Sequence, residues 1–381
     1  MGVNPKGYTM NSATVDKRTF VDRLATLTRI ATPGKGCFPI LANVHIGIEP
    51  GTVTLRSTDL AIYEYAIIPA TTEGETCAVT IPAPMMLKLL RKAPKASKTI
   101  TLSVDTENVA LDVEVGTLKL HLKGIDAEEF PCMPVIIADT TLRIEASEFM
   151  EALQQTLCAT AQDESRPILT GINFSTFGNV LGMIAADGYR LAIRNVDVEC
   201  DGNQLNIIIP SHTLEEVMRE LKGQTESVTI SVGSGFVKIE TETVTVISTL
   251  VEGHFPDINV VIPRECATRV TFQTKDLLEA LSVIEPISKE CCNIVRLSAN
   301  GALTVSATSV EMGTASQSVE TEMQGPGSEI AFNIKYLKDA LASTHSDKVM
   351  MGMNTHKQPA IFRPVGGQDY LHVLMPMRLD R

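Results

Sequence analysis

Three landmarks recur in this chain at one fixed offset, and that repeat limits its fold more than any other feature. "FPILANVHIGI" from Phe38 returns as "RPILTGINFST" from Arg166. "STDLAIYEYAI" from Ser57 returns as "AADGYRLAIRN" from Ala185, and "IPAPMMLKLL" from Ile81 as "IPSHTLEEVM" from Ile209, each displaced by 128 residues. A looser third copy runs through "NIVRLSANGALTVSATSVEM" from Asn293 and "FNIKYLKDAL" from Phe332. A period of this length has the size of a domain rather than of a solenoid unit. The 381 residues therefore read as three domains of one architecture, 1–137, 138–265 and 266–381.

Each copy opens on a helical stripe. Phe20, Leu24 and Leu27 form it in the first, Phe149, Leu153 and Leu157 in the second, and Leu277, Leu278, Leu281 and Ile284 in the third. Spacings of three and four put these groups on one helix face. Ser147 and Thr274 are the expected N-caps of the second and third stripes. Alternating strands follow, then a second helix, then more strands. "VTISVGSGFVKIETETVTVISTL" reads as hairpins turned at Gly233-Ser234-Gly235. The fold class is α+β, with two amphipathic helices per domain packed on antiparallel sheet.

Enzyme signatures are missing. The chain has neither a Gly-x-Gly-x-x-Gly run after a strand nor a Gly-Lys-Ser/Thr phosphate loop, and neither His-Glu-x-x-His nor Gly-x-Ser-x-Gly. The seven histidines are scattered, and the eight cysteines form no Cys-x-x-Cys pair, so the thiols read as reduced and structural, with no metal site and no cofactor. Asp187 is a conceivable catalytic acid, but Asp187-Gly188 reads first as a tight turn between strands. The N-terminus is polar, Lys6 stands where a lipidation signal needs Ser or Thr, and no apolar run is long enough to span a bilayer. A soluble, cytoplasmic protein with no membrane contact is expected.

The formal net charge is -12, which argues against a protein that coats DNA over its whole surface. Its distribution says more. The expected helices 17–30 and 83–95 carry +3 and +4; 148–161, 212–222, 275–289 and 333–342 carry -2, -1, -1 and +1. The helix set is thus positive at +4 while the remainder is -16. Such segregation suits a body that accepts nucleic acid on its helix side and repels it elsewhere.

The three-copy plan, "AADGYRLAIRNV", "LVEGHFPDINVVIP" and the terminal "HVLMPMRL" together resemble the bacterial DNA polymerase III β subunit family, over nearly the whole chain from Phe20 to Leu379. The first dozen residues look like an extension. The resemblance implies a ring-shaped head-to-tail homodimer of six domains, with helices lining a hole that holds duplex DNA through sequence-independent phosphate contacts. It implies no catalysis. It also implies a cleft that receives short linear motifs from the DNA polymerase III catalytic subunit, the clamp loader and other proteins.

Positions matching that cleft are Leu169, Gly188, Tyr189, Arg190, Leu191, Pro256, Val261, Pro359, Val373, Leu374, Met375, Pro376, Met377 and Arg378. Expected DNA-facing residues are Arg23, Lys35, Lys88, Arg91, Lys92 and Arg166; Leu120, Leu122, Pro286 and Ile287 match the dimer seam. The chain departs from the family at Ala186 and Val260, where Thr and Arg are usual, at Tyr189 for His, at Pro167-Ile168 for tyrosines and at Cys292 for Phe. Its seam in the third domain has few carboxylates, Glu311 and Glu320 among them. Those seam changes raise the alternative of a scaffold that binds replication-factor peptides without closing on DNA.

Overall fold

The computed structural model describes residues 11–31, 38–367 and 369–378. Six helices punctuate it: α1 Lys17–Ile30, α2 Ala83–Leu90, α3 Ala146–Leu157, α4 Ser211–Glu220, α5 Thr274–Lys289 and α6 Ile334–Ser343. Each third of the chain holds two, separated and followed by antiparallel strands.

The repeat is carried into the backbone. Strands Asn43–Glu49 and Gly171–Phe177 begin 128 positions apart, as do Thr52–Thr58 and Val180–Ala186, and helices α2 and α4. The turn at Ser234-Gly235 has both residues at positive φ, 54° and 80°, the geometry of a tight hairpin between Ser227–Gly233 and Phe236–Glu240.

Two expected caps are displaced. Ser147 lies inside the first turn of α3, whose N-cap is Glu145. Thr274 is the first residue of α5, and its hydroxyl donates to the Ser346 carbonyl instead. Side-chain caps are found at α1, where Asp16 accepts from Thr19 N at 2.8 Å, and at α6, where Asn333 accepts from Lys335 N at 2.9 Å. Helix α2 stops at Leu90 because the chain tightens into i→i+3 bonds at Lys92 and Ala93 ahead of Pro94, which has no N–H to continue the ladder.

The chain forms two compact units. The first comprises the chain up to Thr141 together with Glu226–Thr249. Its sheet runs, in spatial order, from Ser227–Gly233 through Phe236–Glu240, Thr245–Thr249, Ile62–Glu73, Asn11–Asp16, Thr99–Asp105 and Ala110–Val115 to Leu118–Lys123 at the edge. Helix α1 buries Phe20, Leu24, Leu27 and Ile30, all at most 2% exposed. Each such side chain contributes about 1.5–3 kcal/mol of burial.

The second unit comprises Leu142–Thr225 and Leu250–Arg381. Its larger sheet runs Asn206–Pro210, Gly171–Phe177, Val180–Ala186, Arg190–Asp197, Tyr370–Leu374, Ala360–Pro364, Lys348–Met353, Thr268–Gln273, Thr321–Gln324. A four-stranded sheet, Gly313–Val319, Leu303–Ser309, Ile294–Ala299 and Ser328–Asn333, completes the last third. All five residues of Tyr370–Leu374 are buried, so the apolar run near the C-terminus is a core strand.

Candidate functional site

Four segments of the second unit meet at one surface. The first is the turn between Val180–Ala186 and Arg190–Asp197. Gly188 takes φ +90°, which a side chain would strain, and Asp187 Oδ1 accepts from Tyr189 N at 2.8 Å and Arg190 N at 2.9 Å. Asp187 is therefore a turn residue, as its Asp-Gly pair suggested. The turn presents Tyr189, 61% exposed, and directs Arg190 inward.

Arg190 is held on three sides. Its Nε donates to Asp187 Oδ2 at 3.0 Å, its Nη1 to Asp339 Oδ2 at 2.7 Å, and the guanidinium lies 4.4 Å over the Tyr336 ring. Burial opposes its charge, but the two carboxylates outweigh that and raise its pKa above the ordinary value. Tyr189 stacks on Tyr336, with ring centroids 6.2 Å apart.

The second segment is the 3-10 turn Pro167–Leu169, closed by Leu169 N donating to the Arg166 carbonyl at 2.9 Å. The third is the loop through Phe255 and Pro256 into the 3-10 turn Ile258–Val260, which Asp257 caps by accepting from Asn259 N at 3.0 Å. The fourth is the last strand. Val373 registers with Leu191, and Met375 N donates to the Tyr189 carbonyl at 2.9 Å, fixing where the chain leaves the sheet.

These segments enclose an apolar cavity of about 230 Å³. Leu169, Gly188, Arg190, Leu191, Pro256, Val261, Val373 and Met375 line it, with Arg166, Ala186, Phe255, Asp257 and Ile258. A second, polar cavity of about 510 Å³ shares Arg166, Leu169, Gly188 and Arg190 with it and adds Tyr189, Asp163, Lys335 and Tyr336. The sequence pattern thus brings together nine of its cleft residues.

The others lie off these walls. Leu374 is 1% exposed in the core of the last third, facing away from Val373, so it holds the strand and lines neither cavity. Met377 N donates to the Ala331 carbonyl, anchoring the tail; Pro359, Pro376 and Arg378 line neither cavity. Phe255, Ile258 and Tyr336 are among the wall residues the sequence reading omits, with Asp163, Asp257 and Lys335. Phe255 stood inside "GHFPD", beside the chosen Pro256; Tyr336 comes from α6, with no local signal.

Of the expected DNA-facing residues, Lys88 is exposed on α2, Arg91 and Lys92 are exposed just beyond it, and Arg23 is half-buried on α1. With Lys17, Arg18, Lys95 and Lys98, Arg91 borders a recess of about 450 Å³ beside the start of α1. Lys35 lies outside the described residues. Arg166 belongs to the wall of both cleft cavities.

At the expected seam, Leu120 and Leu122 sit half-buried on the edge strand Leu118–Lys123, alternating with exposed Lys119, His121 and Lys123. Pro286 is exposed near the end of α5, and Ile287 packs partly against the core of the last third. Among the described residues no helix is long and apolar enough to cross a membrane, and no three His, Cys, Asp or Glu residues group as metal ligands.

Comparison with known proteins agrees along the chain. Residues 12–134, 143–257 and 259–378 match the N-terminal, central and C-terminal domains of the DNA polymerase III beta subunit. The beta sliding clamp of Synechococcus elongatus is 27% identical over 93% of this chain and 96% of its own. That of Staphylococcus aureus strain N315 is 27% identical over 97% and 100%. Among solved structures, the DNA polymerase III beta subunit of Pseudomonas aeruginosa superposes with a TM-score of 0.90 at 27% identity, covering 97% of this chain and all of that one. The Bacillus subtilis sliding clamp gives 0.91 at 24% identity, covering 98% of this chain and 100% of its own. The chain belongs to the DNA polymerase III beta subunit family and is a sliding clamp, a non-catalytic processivity subunit of the polymerase.

Proposed function

We propose that two copies of the chain join head to tail into a ring around duplex DNA in the cytoplasm. The second-unit cleft then receives short linear motifs from the DNA polymerase III catalytic subunit, from the clamp loader and from other replication and repair proteins. On this reading the domains are 1–137, 138–265 and 266–381. Processivity comes from topology: a closed ring slides but does not fall off, so no base need be read and no tight DNA affinity is required.

The observation that carries this reading is a pair of open sheet edges. Leu118–Lys123 ends one sheet with a half-exposed leucine face, and Gly313–Val319 ends another. An unpaired edge is a template for another strand, and head-to-tail pairing of unlike edges closes a two-fold ring. Leu120, Leu122, Pro286 and Ile287 form the proposed seam. Arg23, Lys88, Arg91 and Lys92 face the duplex, and Arg166 serves the cleft.

Light scattering after size exclusion, over a dilution series, tests the assembly. A mass about twice 41.2 kDa that survives dilution supports the ring, and loading onto nicked circular DNA by a clamp loader follows. A monomer throughout sinks self-assembly and leaves the scaffold alternative. Gly313–Val319, which has no charged residue to fix a partner strand's register, is the feature that favours that alternative.

A further inference from the structure

The two open sheet edges have little charge to offer each other. On Leu118–Lys123 the exposed residues are Lys119, His121 and Lys123. Two of them are engaged within their own sheet. Lys119 Nζ lies 2.7 Å from Glu114 Oε1, and His121 Nδ1 lies 2.7 Å from Asp112 Oδ1, each across the ladder to Ala110–Val115. Lys123 stands at the end of the strand, opposite Ala110. The other edge, Gly313–Val319, has no charged residue at all. Its hydroxyls turn to the neighbouring strand: Thr314 meets Thr308 at 3.1 Å and Ser318 meets Thr304 at 3.2 Å. Glu311 and Glu320 lie beyond its two ends.

Apolar surface is what both edges have to spare. Leu118, Leu120 and Leu122 share the second face of the first edge, each half-buried. The hairpin tip that leads into the other edge, Val310-Glu311-Met312, carries two large apolar groups with little cover from their own chain. Val310 is fully exposed, and Met312 is 68% exposed. Met312 N donates to the Ser309 hydroxyl at 3.3 Å, so the tip is held in shape while its apolar groups face outward. Bare apolar groups that continue an open edge mark a surface covered on association.

We infer that the joint between two copies is made of main-chain bonds and apolar contact, with no ion pair along the paired strands, and that Val310 and Met312 of each copy are buried in it against the other. This rests on the reading of the chain as a ring and specifies what holds the ring shut. Closure and duplex affinity then answer to different conditions: salt weakens phosphate contacts but finds no charge pair to screen along the joint.

Sedimentation velocity of the full chain, over a dilution series at low and high salt, tests it. Where the dimer outlasts dilution, the rate of subunit exchange between tagged and untagged chains gives the same comparison. The dissociation constant is expected to change less than about threefold with salt. Lys119→Gln should leave it within about twofold, because Glu114 of the same chain is its partner. Val310→Ser/Met312→Ser, in which both changes fall on exposed side chains, should weaken association about tenfold or more. A larger response to salt or to Lys119→Gln, or a smaller one to Val310→Ser/Met312→Ser, overturns the inference and leaves the ring standing. A monomer at every concentration and salt overturns the ring and the inference together.

Discussion

Arg190 and Asp339 lie 149 residues apart in sequence, yet their side chains meet at 2.7 Å, the arginine 9% and the aspartate 35% exposed. The bond ties the strand behind the cleft turn to α6. Because Arg190 keeps Asp187, removing the second carboxylate does not strand a bare charge. Asp339→Asn is expected to destabilise the second unit by about 1–2 kcal/mol, read as a lower urea midpoint. Asp187→Asn on top of it should cost more than the sum of the two single changes, since Arg190 then has no anion among these partners.

Two histidines, His372 buried and His45 half-buried, set an acid limit. Burial, helped by the Arg190 charge, lowers the His372 pKa to about 3; burial, helped by Arg56, lowers that of His45 to about 4. The unfolded chain binds these protons near 6.5, whereas the folded chain refuses them until those lower values. Stability is therefore full above the unfolded value and is lost as pH falls from 6.5 toward 3–4. The loss is at most about 1.4 kcal/mol per pH unit for each histidine. Urea midpoints at pH 7 and 5 should differ, and in His45→Gln/His372→Gln the difference should shrink, even if both midpoints drop.

The basic edge of α2 should be visible in salt dependence. If Lys88, Arg91 and Lys92 face phosphates, replacing all three by Gln lowers the slope of log affinity against log salt by about 0.9 for each phosphate no longer neutralised. Equilibrium binding to short duplexes of two unrelated sequences measures this, and the change should be equal on both.

Assembly can be separated from docking. Leu120→Lys puts a charge on the inner face of the edge strand and should convert a species of about twice 41.2 kDa into a monomer. Met375→Asp should leave that mass unchanged and abolish anchor-peptide binding, because Met375 lines the apolar cavity and the seam residues do not.

The offset of 128 was legible because strand starts and turn residues recur as types: proline at Pro39 and Pro167 opens matching 3-10 turns, and Pro82 and Pro210 precede matching helices. Helix caps were less legible. A Ser or Thr near a stripe looks like a cap whether it stands one residue early or late, and at Ser147 and Thr274 the helix had already begun. The grouping of Glu226–Thr249 with the first unit was beyond reach, since it rests on Thr245–Thr249 pairing with Ile62–Glu73, an edge match between repeats that neither strand's pattern encodes. Residues within recognisable motifs, such as Gly188 and Pro256, are ones that line the cavities. Tyr336 and Lys335 were not legible, because their place in the site is set by how α6 packs and not by their neighbours.

The strand Tyr370–Leu374 has one more consequence. It lies between Arg190–Asp197 and Ala360–Pro364 in the sheet, with Val373 facing one cluster and Leu374 the other. A ribosome that has reached Gly367 has made every other strand of that sheet but not the one that joins its halves. The cleft wall therefore closes only once Tyr370–Leu374 has been made, through contacts far apart in the chain that are slow to form. A nascent chain that stops short of Tyr370 has no complete pocket.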